Sequence, residues 1–188
     1  MIIAWTSWME KRISFSETLV NLYNKYYERL VKNEVEIAGI KDGDKVLCIG
    51  GGSIPCTALQ MAKLTDAKIH VLDIDEEAVE RARYIVEKLG LEDKIKVIWG
   101  NGEVIEPSDY DVIHIALQVQ SKDEVFENIL SKSKRGTRII IRNPKKSRRV
   151  FYSNISNKLL VLCKDCMKNC SLNCYNPNMD EIMLVVKN

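Results

Sequence analysis

Long apolar runs are missing from this sequence, and so is a strong excess of charge of either sign. No stretch approaches the ~20 apolar residues that a transmembrane helix needs, and Met1–Trp8 has neither the charged start nor the long apolar centre of a signal peptide. The net charge of +2 does not by itself favour nucleic acid as a partner. We therefore expect a cytoplasmic protein that acts without a membrane.

Glycine is sparse, with nine residues, yet three of them stand together at Gly50–Gly52, directly after a short apolar run. Three consecutive glycines have no β-carbons, so the backbone can turn tightly there and a ligand can approach it closely. A helix at Ser53–Ala62 and a second buried strand at Lys68–Ile74 follow. Asp73 stands 23 residues after the first glycine, near the ~20-residue separation at which an acid reaches a ribose hydroxyl in nucleotide-binding βαβ units. The stretch predicts a site for a nucleotide-type ligand; the alternative, glycines that serve packing alone, leaves Asp73 without a role.

Strand and helix patterns alternate through the middle of the chain, which predicts an α/β fold with a doubly wound, mostly parallel, Rossmann-like sheet. Two final strands joined by a loop without helical pattern indicate an antiparallel C-terminal edge. The predicted helices are Ser16–Ile37, Ser53–Ala62, Asp75–Leu89 and Asp123–Ser133, and the predicted strands are Val46–Ile49, Lys68–Ile74, Lys94–Trp99, Tyr110–Leu117, Thr137–Arg142, Lys158–Leu162 and Glu181–Val186.

The order of these elements, with VLCIGGG, VLDID and GNG at successive strand ends, resembles the class I S-adenosylmethionine-dependent methyltransferase fold. The resemblance covers roughly Val46–Arg142 and implies S-adenosyl-L-methionine as the cofactor. Two departures stand out. Cys48 stands where that fold often has an acid, two positions before the first glycine of the turn. Asn101 replaces the acid that is usual at the end of the third strand. An asparagine amide can still accept and donate hydrogen bonds.

The same resemblance implies a role for the residue at each strand end. Gly50, Gly51 and Gly52 would lie against the methionine part of the cofactor. Asp73 would hold the ribose hydroxyls, and Ile74 would pack on the adenine. Asn101 would meet the adenine edge, and Ala116–Val119 would face the substrate.

Three further segments narrow the resemblance. The turn GGSIPCT, the strand YDVIHIALQV and the IIIR strand with the basic RRVFY segment after it look like nicotianamine synthase. In the first helix, Tyr23, Tyr27, Leu30 and Glu34 have a Y-x3-Y-x2-L-x3-E spacing similar to a motif of that family. By this resemblance Tyr27 and Glu34 are candidates to position or deprotonate an amine nucleophile; packing and helix solvation are the alternative.

Two transfer reactions fit such a site, because a sulfonium makes all three attached carbons electrophilic. The glycine turn does not distinguish them. We expect methyl transfer to a small-molecule acceptor, the commoner reaction of the fold, with nicotianamine synthase-like transfer of the aminocarboxypropyl group as the alternative. The full synthase reaction needs a long enclosed chamber that a domain of this length does not build, so the resemblance transfers the cofactor and not the product.

The six cysteines are unevenly placed: Cys163, Cys166, Cys170 and Cys174 crowd into one short segment near the end of the chain. Four thiolates at such spacing suit tetrahedral zinc or an iron–sulfur cluster. The spacing also puts all four on one face of a helix, where cysteine acts as a small apolar residue, but the polar residues between them are not typical of a long helix. The cluster predicts a metal site.

Other partners and functions remain open. The basic run Lys145–Arg149, with Phe151 and Tyr152 beside it, could hold an RNA backbone and stack a base, as in an RNA-directed methyltransferase; a solvated loop is the commoner reading of so short a run. A homodimer and a non-catalytic metal-binding role are further alternatives. We expect one domain over residues 1–188, divided into an N-terminal helical cover (1–40), a cofactor-binding core (41–143) and edge strands with a cysteine-rich loop (144–188).

Overall fold

The computed structural model describes residues 17–162, 167–171 and 178–187, and its frame is a seven-stranded sheet. Helices alternate with strands through most of the parallel part of the sheet, but the described residues between the third and fourth strands contain no helix; both features agree with the sequence pattern. In chain order the elements are α1 (Glu17–Ala38), β1 (Lys45–Ile49), α2 (Cys56–Leu64), β2 (Lys68–Asp73), α3 (Glu76–Lys88), β3 (Ile95–Trp99), β4 (Val112–Ile115), α4 (Lys122–Lys132), β5 (Arg138–Pro144), a 3₁₀ turn (Lys146–Arg148), α5 (Asn157–Leu162), β6 (Met167–Ser171) and β7 (Met179–Val186).

The strand order is β3-β2-β1-β4-β5-β7-β6. Neighbours from β3 to β5 pair in parallel, and β7 runs antiparallel to both β5 and β6. This confirms the predicted mostly parallel α/β sheet with an antiparallel C-terminal edge. Because β1 has β2 on one side and β4 on the other, the chain reverses its direction of winding there. In open α/β sheets a crevice forms at such a switch point, beyond the carboxyl ends of the strands.

Two apolar layers cover the sheet, one on each face. Successive side chains of a strand point to opposite faces, so Val46 and Cys48 of β1 pack into one layer and Leu47 and Ile49 into the other. The first layer is completed by α1, α2 and α3, and the second by α4 and α5. With helices on both faces, the sheet holds its strand ends rigidly in one row.

One predicted strand is wrong: Lys158–Leu162 belongs to the short helix α5. A five-residue apolar run carries no period of its own, so strand and buried helix are not distinguishable from it. In the structure the Leu160 N–H donates to the Ser156 carbonyl, as a helical turn requires. Leu159 is buried in the second layer, whereas Val161 is 71% exposed. The edge strand is instead β6, inside the segment that the sequence analysis takes as a loop.

The other elements match their predictions to within a few residues. The helix predicted from Ser53 begins only at Cys56, because Ser53–Pro55 form the turn that enters it. Within the described ranges, none of the helices is both long enough and apolar enough to cross a membrane. The division of the chain into cover, core and edge stays a prediction.

Candidate functional site

A cavity of about 470 Å³ opens at the carboxyl ends of the parallel strands. Sites for small molecules commonly have ~300–1,000 Å³. Glu34, one of the two residues predicted to act on an amine, lies behind the wall of this cavity and not in it. The wall includes the following residues that the sequence analysis singles out: Tyr27, Gly50, Gly51, Gly52, Asp73, Ile74, Asn101 and Ala116.

The glycine turn fits its surroundings only without side chains. Gly50 has a φ of +81°, and a β-carbon there would come within 2.7 Å of Val119 Cγ2. A β-carbon on Gly51 would come within 2.1 Å of Val71 Cγ1. The N–H groups of both glycines donate to the Leu72 carbonyl, at 2.8 and 3.3 Å. These two residues therefore offer a ligand close approach to bare backbone, while their hydrogen bonds tie β1 to β2.

Asp73 stabilises the glycine turn through hydrogen bonds of its carboxylate to the backbone. Its Oδ2 accepts the Gly52 N–H at 2.7 Å, and its Oδ1 accepts the Asp75 N–H at 3.0 Å. Asp75 in turn caps α3 by accepting two backbone N–H groups. Each carboxylate oxygen can accept more than one hydrogen bond. Asp73 lines the cavity and can therefore still accept hydrogen bonds from the hydroxyl groups of a ligand. At the same time it holds the backbone of Gly52 and Asp75 in place.

The mouth of the cavity combines an exposed apolar side chain with an amide. Ile74 is 68% exposed, and its carbonyl accepts the indole N–H of Trp99 at 3.1 Å. Asn101 accepts the Glu103 N–H through Oδ1 at 2.9 Å. Within the described residues the Asn101 amide nitrogen makes no hydrogen bond. The mouth thus offers a surface for a flat base and an N–H donor for the edge of that base.

The floor of the cavity is a buried ion pair. Arg142 donates to Glu34 through Nε (2.7 Å to Oε1) and Nη2 (2.8 Å to Oε2), and Nη2 also donates to Thr57 Oγ1 at 3.0 Å. His114 Nε2 lies 3.4 Å from Glu34 Oε1. Glu34 is completely buried, whereas Arg142, His114 and Thr57 line the cavity. The ring of Tyr27 lies 5.5 Å from the guanidinium carbon of Arg142. Glu34 therefore fixes the orientation of groups that face the cavity.

Charges within this cluster are well defined. Burial alone would raise the pKa of Glu34, but the charge of Arg142, with a smaller contribution from His114, lowers it to about 2. Burial lowers the pKa of His114 more than Glu34 raises it, so the imidazole is neutral near pH 7. A neutral ring contacts a carboxylate through its N–H, so Nε2 carries the proton. The floor therefore contains one anion, one cation and a neutral histidine.

Cys48, which replaces the acid of the methyltransferase pattern, also belongs to the floor. It is 2% exposed, and burial raises the pKa of its thiol to about 12. The thiol is therefore neutral and supplies no negative charge. Its neighbour across the β1–β4 pairing is His114. The chain thus presents neutral groups and an arginine where the pattern has a carboxylate.

A buried lysine ties together two segments that border the cavity. Lys122, at the start of α4, is fully buried, and its Nζ donates to the carbonyls of Leu117 (2.6 Å) and Ser153 (2.8 Å). Burial lowers the pKa of this lysine to about 7. Next to Ser153, Tyr152 is 4% exposed and lines the cavity, while Phe151 is 38% exposed. Phe151 and Tyr152, which the RNA-binding alternative would use to stack a base, therefore do not share one surface.

The predicted metal ligands lie largely outside the part of the chain that the structure describes. Cys163, Cys166 and Cys174 are not among the described residues, and Cys170 is described only through its backbone, in β6. Among the described side chains, no group of three or more His, Cys, Asp or Glu is placed to hold a metal ion. The metal site stays a prediction.

Three cavity residues were missed by the sequence analysis: Thr57, His114 and Arg142. One signal was present, since Arg142 directly follows the buried apolar run Ile139–Ile141 in β5, and a charge in that position must find a partner. The partner, Glu34, stands 108 positions away, so no local pattern connects them.

With this geometry in hand, comparison with known proteins is informative. The family model described as nicotianamine synthase protein matches residues 15–184. The chain belongs to the nicotianamine synthase family. This confirms the resemblance drawn from the GGSIPCT turn and the segments that accompany it.

Individual relatives cover different shares of the chain. An L-histidine 2-aminobutanoyltransferase of Yersinia pestis is 28% identical over 120 residues, which are 64% of this chain and 45% of that protein. The chain thus spans less than half the length of that enzyme. A solved structure of a mutant of MtNAS, in complex with S-adenosylmethionine, matches with a TM-score of 0.77 at 24% identity, over 97% of this chain and 72% of the other. An RNA methyltransferase from Salinibacter ruber, in complex with S-adenosyl-L-homocysteine, matches with a TM-score of 0.63 at 14% identity, over 85% and 92%. At these identities the structural matches show a shared methyltransferase-like fold.

Proposed function

We propose that this chain is an S-adenosyl-L-methionine-dependent transferase that moves the aminocarboxypropyl group of its cofactor to the amine of a small-molecule acceptor. The observation that carries this is a single cavity with two different ends. One end, at Asp73 and Ile74, suits a nucleoside, and the other is the polar floor of Tyr27, His114 and Arg142. Membership of the nicotianamine synthase family favours this reaction over the methyl transfer expected from the sequence.

The residues at the mouth fit an adenosine group. Asp73 has acceptor capacity for the ribose hydroxyls, Ile74 offers an apolar surface to the adenine, and the free amide N–H of Asn101 can meet a ring nitrogen. The bare glycine turn then leaves room for the methionine part beside Ala116. A solved relative of the same family holds S-adenosylmethionine, which supports this cofactor here.

When bound, S-adenosylmethionine would supply a sulfonium whose attached carbons are electrophilic. Attack by an unprotonated amine on the aminocarboxypropyl carbon would form a C–N bond, break the C–S bond to that carbon and release methylthioadenosine, and the new ammonium would lose a proton to solvent. The contribution of the chain is orientation and exclusion of water. Tyr27 lines the cavity with its ring beside Arg142, and in this proposal it contacts the acceptor.

Glu34 takes a positioning role in this proposal. A carboxylate with a pKa of about 2 and both oxygens held by Arg142 is a weak base. Its removal would misplace Arg142 and His114, which do line the cavity. The acceptor amine would then reach its reactive, unprotonated form through solvent or through another cavity group.

The acceptor class follows from the named relative. That enzyme is an L-histidine 2-aminobutanoyltransferase, and the cavity here combines a cation, hydroxyl groups and a neutral imidazole. These groups suit a polar amino acid better than an apolar amine. We therefore take histidine as the first acceptor to test.

The spent cofactor tests the proposal directly. Purified protein is incubated with S-adenosylmethionine and histidine, and the products are separated and identified by mass spectrometry. Methylthioadenosine together with an aminocarboxypropyl adduct of histidine is the expected result. S-adenosylhomocysteine would instead establish methyl transfer. If histidine gives no product, a panel of amines and cell extract serve as acceptors, and failure of all of them to yield methylthioadenosine contradicts the proposal.

A further inference from the structure

Arg142 has one pair of N–H groups that no acceptor within the described part of the chain uses. Its Nε and Nη2 make the bonds to Glu34 and Thr57, whereas Nη1 has no acceptor among the described residues. Arg142 as a whole is 4% exposed, but its Nη1 atom is not completely buried. The residue also lines the cavity. The unused donors are therefore accessible from within the cavity.

The guanidinium is held in one orientation. Two parallel bonds to Glu34 fix its plane, Thr57 fixes Nη2, and the ring of Tyr27 lies beside it. A side chain held in this way loses little conformational freedom when it binds a ligand. A buried guanidinium with donors left over is also a strong site for an acceptor, because a buried N–H group without an acceptor is costly and a charged donor forms a strong hydrogen bond.

The charges around Arg142 select the kind of anion. Glu34 already offsets the positive charge, and neither His114 nor Cys48 adds a negative one. A dianion such as phosphate would place two negative charges near the ionised Glu34. A single carboxylate on a molecule that also carries an ammonium group would leave the site close to neutral.

We propose that the Nη1 donors of Arg142 bind the α-carboxylate of an amino-acid group in the cavity, which makes Arg142 the residue that selects ligands with that carboxylate. This inference rests on the proposed function and deepens it. Two ligands of that reaction carry such a carboxylate: the methionine part of S-adenosylmethionine, and an amino-acid acceptor. The recognition chemistry is the same for both, and the experiment separates them.

The first arm tests the cofactor. Affinities for S-adenosylmethionine and for decarboxylated S-adenosylmethionine are measured by calorimetry on the wild type and on Arg142→Lys. Lysine keeps a cation beside Glu34 but loses the planar pair of Nη1 donors. If the cofactor supplies the carboxylate, the wild type prefers the carboxylated ligand at least about tenfold, the effect of one charge-assisted hydrogen bond, and the variant loses this preference. The ratio within one variant does not depend on how much of the preparation is folded.

The second arm tests the acceptor. KM is compared for histidine and for histamine, which lacks the carboxylate, by following methylthioadenosine. If the acceptor supplies the carboxylate, Arg142→Lys raises KM for histidine about tenfold or more and leaves that for histamine nearly unchanged. A different result would contradict a role of Arg142 in binding the acceptor carboxylate. In that result, the wild type and Arg142→Lys both produce methylthioadenosine equally well with histidine, and neither produces it with histamine.

Arg138→Lys is the matched control. Arg138 lies on the same strand and is also ion-paired, with Asp44 at 2.8 Å, but at the opposite end of β5. It should keep both wild-type ratios. The carboxylate proposal is overturned if Arg142→Lys weakens carboxylated and decarboxylated ligands equally in both arms. Absence of any S-adenosylmethionine binding by the wild type would instead remove the proposed function itself, and this inference with it.

Discussion

Replacement of Asp73 by asparagine tests the geometry of the nucleoside end most directly. The side chain keeps its size, but one carboxylate oxygen becomes an NH2 group. In the structure both oxygens accept backbone N–H groups, from Gly52 and from Asp75. An NH2 group cannot accept, so one of these two donors loses its partner. The negative charge that would attract the ribose hydroxyls is lost as well.

The magnitude follows from these contacts. Leaving one partly buried N–H without an acceptor costs roughly 1–3 kcal/mol, and each hydrogen bond to a charged group is worth roughly 1.5–3 kcal/mol. The free-energy cost of the unpaired N–H lowers the stability of the fold in part, and in part it lowers ligand affinity by disturbing the glycine turn. A loss of about 2.7 kcal/mol in binding corresponds to a fall of about 100-fold in affinity. We therefore expect Asp73→Asn to bind S-adenosylmethionine about 100-fold more weakly.

Calorimetry with S-adenosylmethionine and with methylthioadenosine measures this loss, which should be similar for both because they share the ribose. Asp111→Asn is the control, because Asp111 also accepts a backbone N–H, from Lys45 at 2.9 Å, but at the amino end of the strands. Urea unfolding should show a stability loss for both variants, with weaker binding for Asp73→Asn alone. Binding by Asp73→Asn within twofold of the wild type would refute the assignment of Asp73 to the ligand.

Four further predictions follow from single residues. Gly50→Ala, which puts a β-carbon 2.7 Å from the Val119 side chain, should lower the unfolding midpoint and cofactor affinity more than Gly43→Ala, which has a similar positive φ and open space around it. The pKa of Glu34 is lowered from 4.5 to about 2, so its ionised form stabilises the fold by about 3 kcal/mol above pH 4.5, and this stabilisation is lost as the pH falls towards 2. In urea titrations at acid pH, the free energies of unfolding of the wild type and Glu34→Gln should therefore converge. Lys122 has a pKa of about 7 when folded and 10.5 otherwise, so the unfolded chain binds more protons between these values; wild-type stability should rise with pH across that window, and Lys122→Met should lack this slope. Elemental analysis of protein prepared without oxygen should find zinc or iron, which replacing the four clustered cysteines by serine removes.

The nucleoside end of the cavity was predictable because its signals are local. Gly50–Gly52 follow a buried strand, and a β-carbon on Gly50 or Gly51 would clash with the side chain of Val119 or Val71. Asp73 stands at the end of the next strand, so pairing of β1 with β2 brings it beside the turn. The cap of α3 by Asp75 also follows from residue type and position. In each case the residues that meet belong to the one strand–helix–strand unit from β1 to β2 or to the start of the next helix.

The edge of the sheet was harder to predict. In β6 the residues Met167–Ser171 have no alternation of apolar and polar side chains. The strand exists because β7 offers a free edge with which it pairs in antiparallel register. The apolar segment Lys158–Leu162 looks more like a strand but has a helical place, where Leu159 fills the layer under the sheet. Tertiary context outweighed intrinsic preference in both segments, through strand pairing in β6 and through packing of Leu159 in α5.

The floor of the cavity explains why sequence reasoning favoured methyl transfer. Glu34, Thr57 and Arg142 come from a helix before the first strand, a helix after it and the end of the fifth strand. Each alone is an ordinary polar residue, and only the folded sheet brings them into one hydrogen-bonded group. The nucleoside end is common to many transferases of this fold, so it carries no information on which carbon reacts. In the proposed reaction that choice depends on the residues that hold the amino-acid groups, and the candidates at the floor of the cavity meet only through long-range contacts. Loss of carboxylate discrimination in Arg142→Lys would therefore link the long-range half of the site to the choice of reaction.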